Sequence, residues 1–122
     1  MTHSPTGEPA WKNVLSEAAH TALAGVLDPT EQVDFVAPAV GCILVLTQQR
    51  LAVVRDGASY RPKTGVRSFV LDRDLAVRIE PARRRVIIRS DGRTINVFIR
   101  SAQLRQAEAL VAEVRRRIYL DD

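Results

Sequence analysis

Residues 75–100 read LAVRIEPARRRVIIRSDGRTINVFIR, and the fold turns on how they pair. Three runs rich in valine and isoleucine alternate with polar neighbours, the period of a strand with one buried face. Asp91-Gly92 is the two-residue signature of a tight hairpin. Pairing Ser90 with Arg93 sets Ile88 opposite Ile95 and Val86 opposite Val97. Centring the preceding turn on Ala82-Arg83 sets Ile79 opposite Val86 and Val77 opposite Ile88, on that same face. A slip of one residue would turn each set over, so the agreement of two separate turns fixes the register. The stretch is therefore an antiparallel meander. Its other face carries Ala76, Arg78 and Glu80, then Arg85, Ile87 and Arg89, then Thr94, Asn96, Phe98 and Arg100.

Upstream, the period of two continues from residue 31. Val33, Phe35 and Ala37 alternate with polar neighbours up to a break at residues 38–41. Apolar runs follow over residues 42–47 and 50–55, joined at Gln48-Gln49, then a loop rich in turn formers and a strand over residues 66–71. With the meander this predicts seven antiparallel strands between about residues 31 and 100. Before them, Trp11, Val14, Leu15, Ala18, Ala19, Ala22, Leu23 and Val26 fall on one face of a helix over residues 10–27, with Pro9 before it and Asp28-Pro29 ending it. After them, Leu104, Ala107, Val111, Val114 and Ile118 predict an amphipathic helix over residues 102–119 with Ser101 as its N-cap. The expectation is one α+β, mainly β domain over residues 10–120, behind a polar tail of residues 1–9.

The charge is uneven. Of the 18 lysines and arginines, 17 lie after residue 46, against 9 of the 14 acids, so the net charge of +4 conceals an acidic first part and a basic second one. A basic half can mean an anionic partner. It can equally reflect arginine usage set by genome composition. No apolar run approaches the roughly 18 residues that span a bilayer, and residues 1–9 lack the basic and apolar regions of a secretory signal. A cytoplasmic protein is expected. The single cysteine, Cys42, excludes an intramolecular disulfide.

Two short stretches carry a resemblance. Residues 44–54 (LVLTQQRLAVV) resemble the hairpin of an apolar strand, LT-x-x-RL and a second apolar strand found in bacterial pleckstrin-homology-like (PH-like) domains. Asp28, Pro29, Thr30 and Glu31 are similar to the lead-in before strand one of those domains, with Thr where Gly is usual. The resemblance covers about residues 28–118. It implies a seven-stranded PH-like barrel or sandwich whose C-terminal helix plugs one open end, preceded here by an extra helix. It also implies a binding or scaffold role, because this fold hosts lipid, peptide and domain recognition alike. In lipid-binding members the loop between the first two strands carries bases that clamp phosphates. Here residues 37–41 (APAVG) hold none, so phosphoinositide binding through that loop is not expected.

Enzyme chemistry is poorly supplied. His3 and His20 are the two histidines, and no metal-ligand spacing, phosphate-cradling turn or nucleophile elbow is present. The chain is expected to be a non-enzymatic module without cofactor or metal. Cys42, at the start of an apolar strand, is expected to be a buried, inert thiol. The outer face of the meander, with Arg78, Arg85, Arg89, Phe98 and Arg100, is either an anion-binding platform or a solvated sheet face with cross-strand pairs; Arg85 can stack on Phe98 or pair with Glu80. A second basic candidate is the loop with Tyr60, Arg61 and Lys63, flanked by Arg55 and Arg67. The run at residues 83–85 reads as a turn tip and that at 115–117 as a solvated helix end.

In the Gln48-Gln49 hairpin, Leu44, Leu46, Leu51 and Val53 share the core face, which leaves Ile43, Val45, Ala52 and Val54 on the other. So apolar an outer face requires a cover. The first helix, with Trp11 and Leu15, supplies one, either in its own chain or from a neighbour. Trp11, Leu15, Ile43, Val45 and Val54 are therefore the candidate interface. The expected function is protein–protein contact or self-association, with anion binding to a lipid surface, acidic peptide or nucleic acid as the alternative.

Overall fold

The computed structural model describes residues 17–56 and 64–120. The elements run α1 (Glu17–Ala24), β1 (Val33–Ala39), β2 (Cys42–Thr47), β3 (Arg50–Asp56), β4 (Thr64–Val70), β5 (Ala76–Glu80), β6 (Arg85–Ser90), β7 (Arg93–Phe98) and α2 (Leu104–Leu120). The class is α+β and mainly β. The strands form two antiparallel sheets, β1-β2-β3-β4 and β5-β6-β7. No ladder joins the two sheets among the described residues, so the closed-barrel form of the expectation is corrected to two facing sheets. The tail, Trp11 and Leu15 lie outside the described residues.

The registers follow from the alternation of apolar side chains. Ile88 pairs with Val77 and Ile95, and Val86 with Ile79 and Val97, as the two turns of the meander require. Asp91 and Gly92 both have positive φ, 54° and 78°, the turn whose twist matches that of the strands it joins. Leu44, Leu46, Leu51 and Val53 of the first sheet meet Val77, Val86, Ile88 and Val97 of the second in one core. The apolar side of α2 enters the same core through Ala107, Leu110, Val111, Val114 and Ile118.

A second, smaller core lies on the back of the first sheet. Ala19 and Leu23 of α1 pack on Ile43, Val45, Ala52 and Val54, with Leu27, Val33, Val36 and Val66 around them. The cover over the apolar back of the β2–β3 hairpin thus comes from the same chain.

Local chemistry changes two details of the sequence reading. Strand β1 does not alternate evenly: a bulge between Val33 and Phe35 puts Val33 with Val36 on the α1 side, while Ala37 faces the main core. Ser101 does not cap α2. It begins a 3-10 turn, Ser101–Gln103, whose lead residue Arg100 gives its N–H to Gln103 Oε1 at 2.9 Å, and the Ser101 hydroxyl is taken by Arg84 Nη1 at 2.7 Å.

The outer edge of β1 is occupied. Gln106 Nε2 of α2 donates to the Val36 carbonyl at 3.3 Å, and Val40 N–H donates to the Phe98 carbonyl at 2.8 Å. Between them stands Pro38, which has no N–H to offer.

Candidate functional site

The outer face of the second sheet is built in three cross-strand rows. Ala76, Arg89 and Thr94 make the first; Arg78, Ile87 and Asn96 the second; Glu80, Arg85 and Phe98 the third. Ile87 stands at the centre, with Arg85 and Arg89 two residues away on either side along β6. It is only 8% exposed although it faces away from the core. Around it lies an open depression of about 450 Å³, lined by Arg78, Arg85, Arg89, Thr94 and Asn96 and, from α2, by Arg115 and Tyr119.

Among the described residues the acidic side chain of Glu80 works against this cationic surface. Arg85 Nε donates to Glu80 Oε1 at 2.6 Å, and Arg78 Nη2 lies 3.6 Å from Glu80 Oε2. The hydrogen bond from Arg85, opposed by partial burial and helped by the charges of Arg85, Arg78 and Arg83, holds the Glu80 carboxyl below the usual range. Arg89 and Arg115 have no carboxylate partner among the described residues.

Of the residues singled out in the sequence, Arg78, Arg85 and Arg89 therefore converge. Phe98 and Arg100 do not line the depression. Phe98 is 54% exposed beside Arg85 in register, and of the two partners open to Arg85 the guanidinium takes Glu80, in an ion pair. Arg55 and Arg67 are exposed on the first sheet, away from this surface. Tyr60, Arg61 and Lys63 lie outside the described residues. Ile43, Val45 and Val54 are buried under α1 and offer no free interface.

The run at residues 115–117 is not simply a solvated helix end. Arg115 joins the depression. Arg116 pairs with Glu113, and Arg117 bonds Glu113 at 2.8 Å, Asp34 at 3.0 Å and the Thr47 carbonyl at 2.8 Å while lying over the Phe35 ring. The sequence signal for Arg115 and Tyr119 was available: each follows a core residue, Val114 and Ile118, and so flanks the buried stripe. What the sequence does not carry is the placing of that flank beside the start of β5.

The stretches that carried the family resemblance meet in a second polar cluster. Thr47 Oγ1 donates to the Glu31 carboxylate and accepts the N–H groups of Gln49 and Arg50 at 3.1 and 3.0 Å. Arg50 Nε donates to Glu31 Oε2 at 2.9 Å, and Asp28 N–H to Glu31 Oε1 at 3.0 Å. Burial raises the Glu31 pKa, but the bonds from Thr47, Asp28 and Arg50 outweigh it and hold the carboxyl below its ordinary value. Every partner here is satisfied within the chain, so the cluster fastens the lead-in segment to the β2–β3 turn.

Burial pushes the Cys42 thiol up to about 11, against a smaller opposing effect of Arg55, so the thiolate that reacts is scarce at neutral pH. No group of His, Cys, Asp and Glu with metal-binding geometry exists among the described residues, and no described helix is long and apolar enough to cross a membrane. No protein-family model matches the chain, and neither a curated protein nor a solved structure does so.

Proposed function

We propose that this chain is a non-enzymatic binding module that takes an anionic partner on the outer face of β5–β7. The observation that carries this reading is the convergence of Arg78, Arg85 and Arg89 with Arg115 on one depression, opposed among the described residues by the carboxylate of Glu80. Self-association through the β2–β3 hairpin loses its motive, because α1 already covers that surface. A PH-like architecture remains the family reading. Seven antiparallel strands followed by a helix whose apolar side enters the core support it, as does the bonding of Glu31 to Thr47 and Arg50, the residues of the two quoted stretches.

Fluorescent heparin, a generic polyanion, tests the reading. Binding should saturate, weaken by about tenfold or more between roughly 50 and 200 mM salt, and fall by a similar factor in Arg78→Ala/Arg89→Ala. Absence of saturable binding, or equal binding by the double variant, overturns it.

A further inference from the structure

We infer, resting on the anion-binding reading above, that the depression is a site for a small soluble phosphate monoester whose other end is a flat ring, the chemistry of a nucleoside monophosphate. The cationic groups around it are not equivalent. Arg78 and Arg85 are held by Glu80, at 3.6 and 2.6 Å, and so are already partly compensated. Arg89 and Arg115 carry no ion pair among the described residues. They come from different elements: Arg89 stands opposite Ala76 on the edge strand β5, and Arg115 belongs to α2, which packs against β5. Ala76, with its small side chain, lines the depression together with Arg89 and Arg115, so the edge between them is not filled by a large side chain from β5.

Charge selects the anion. Two guanidinium groups without an ion pair among the described residues match a dianion better than a single carboxylate, and each presents a planar fork that meets phosphate oxygens in pairs. A phosphate monoester, whose second pKa is about 6, is mostly dianionic at neutral pH. The rest of the surface describes what the phosphate is attached to. The floor is Ile87, nearly buried, and beside Arg115 one helical turn away stands Tyr119, 52% exposed and free to take a ring against its own. Asn96 and Thr94 supply hydrogen-bonding groups at the margin. A volume of about 450 Å³ lies within the range of small-ligand sites.

Calorimetric titration of the whole chain with AMP, adenosine, ribose 5-phosphate and benzoate, at fixed ionic strength, tests this. AMP should bind saturably, with ribose 5-phosphate and adenosine each weaker by about tenfold and benzoate weaker still. Arg89→Ala and Arg115→Ala should each weaken AMP by about tenfold or more. Tyr119→Ala should bring AMP to the level of ribose 5-phosphate and leave ribose 5-phosphate itself unchanged. These side chains are exposed, so unaltered thermal unfolding shows that the variants remain folded. Benzoate equal to AMP, or AMP binding indifferent to Arg115→Ala, overturns the inference. So does binding to vesicles containing phosphatidic acid without binding of AMP. Heparin binding that depends on Arg78 and Arg89, with no AMP binding, overturns this inference alone; loss of both overturns the anion-binding reading as well.

Discussion

At the scale of single residues, Glu31 shows how a carboxylate can be buried and remain charged. Its side chain is 2% exposed, yet Thr47, Arg50 and the Asp28 N–H all donate to it. Glu31→Gln removes the charge that these donors serve and should lower unfolding stability by about 1–3 kcal/mol in urea titration. A change indistinguishable from zero would mean that the cluster is not formed in solution. The residues of this cluster were legible in the sequence, but only as two separate similarities. That Glu31 meets Thr47 and Arg50 depends on a contact spanning 16 and 19 residues, which no local pattern encodes.

Among the elements, the hairpins were the most readable part of the chain. A two-residue turn with an apolar face on both sides leaves one register open, and Asp91-Gly92 sits in it with the backbone that only glycine adopts freely. Gly92→Ala, at φ 78°, should destabilise by about 1–2 kcal/mol in the same titration. Helix α1 is the opposite case. Its apolar face was clear, but the sequence left open whose hairpin it covers, because the same surface can be buried within a chain or between two. Leu23, 3% exposed against the back of the first sheet, tests the answer. Leu23→Ala should cost about 2–4 kcal/mol, whereas a change within about 0.5 kcal/mol, the size of an ordinary surface substitution, would show that α1 is not seated there. The arginine face was half legible for a related reason: period two places Arg78, Arg85 and Arg89 together, but nothing local to β5 announces Arg115 and Tyr119.

For the molecule as a whole, Arg117 ties α2 to β1 by an ion pair with Asp34 and to the end of β2 by a hydrogen bond to the Thr47 carbonyl. Glu113 anchors this group, and hydrogen bonds from Arg116 and Arg117 hold its carboxyl down to about 2. A carboxyl depressed in the folded state contributes stability that is complete above its ordinary value near 4.5 and is lost as pH falls through the folded value. Glu31 and Glu80 shift in the same direction. The thermal midpoint should therefore fall progressively as pH drops from about 4.5 towards 2, and less steeply in Glu113→Gln. A midpoint flat across that window would contradict these pairings.

An outer strand of a sheet ordinarily offers its bare backbone as a template on which another chain can crystallise into a growing ribbon. Along β1 and at the residue that follows it, that template is interrupted three times in succession: a side-chain amide covers the Val36 carbonyl, a proline stands next, and the Val40 N–H is already given to Phe98. The chain has thus been made a poor seed for its own polymerisation on that side, and the means are the same contacts that bring the second sheet and α2 against the first.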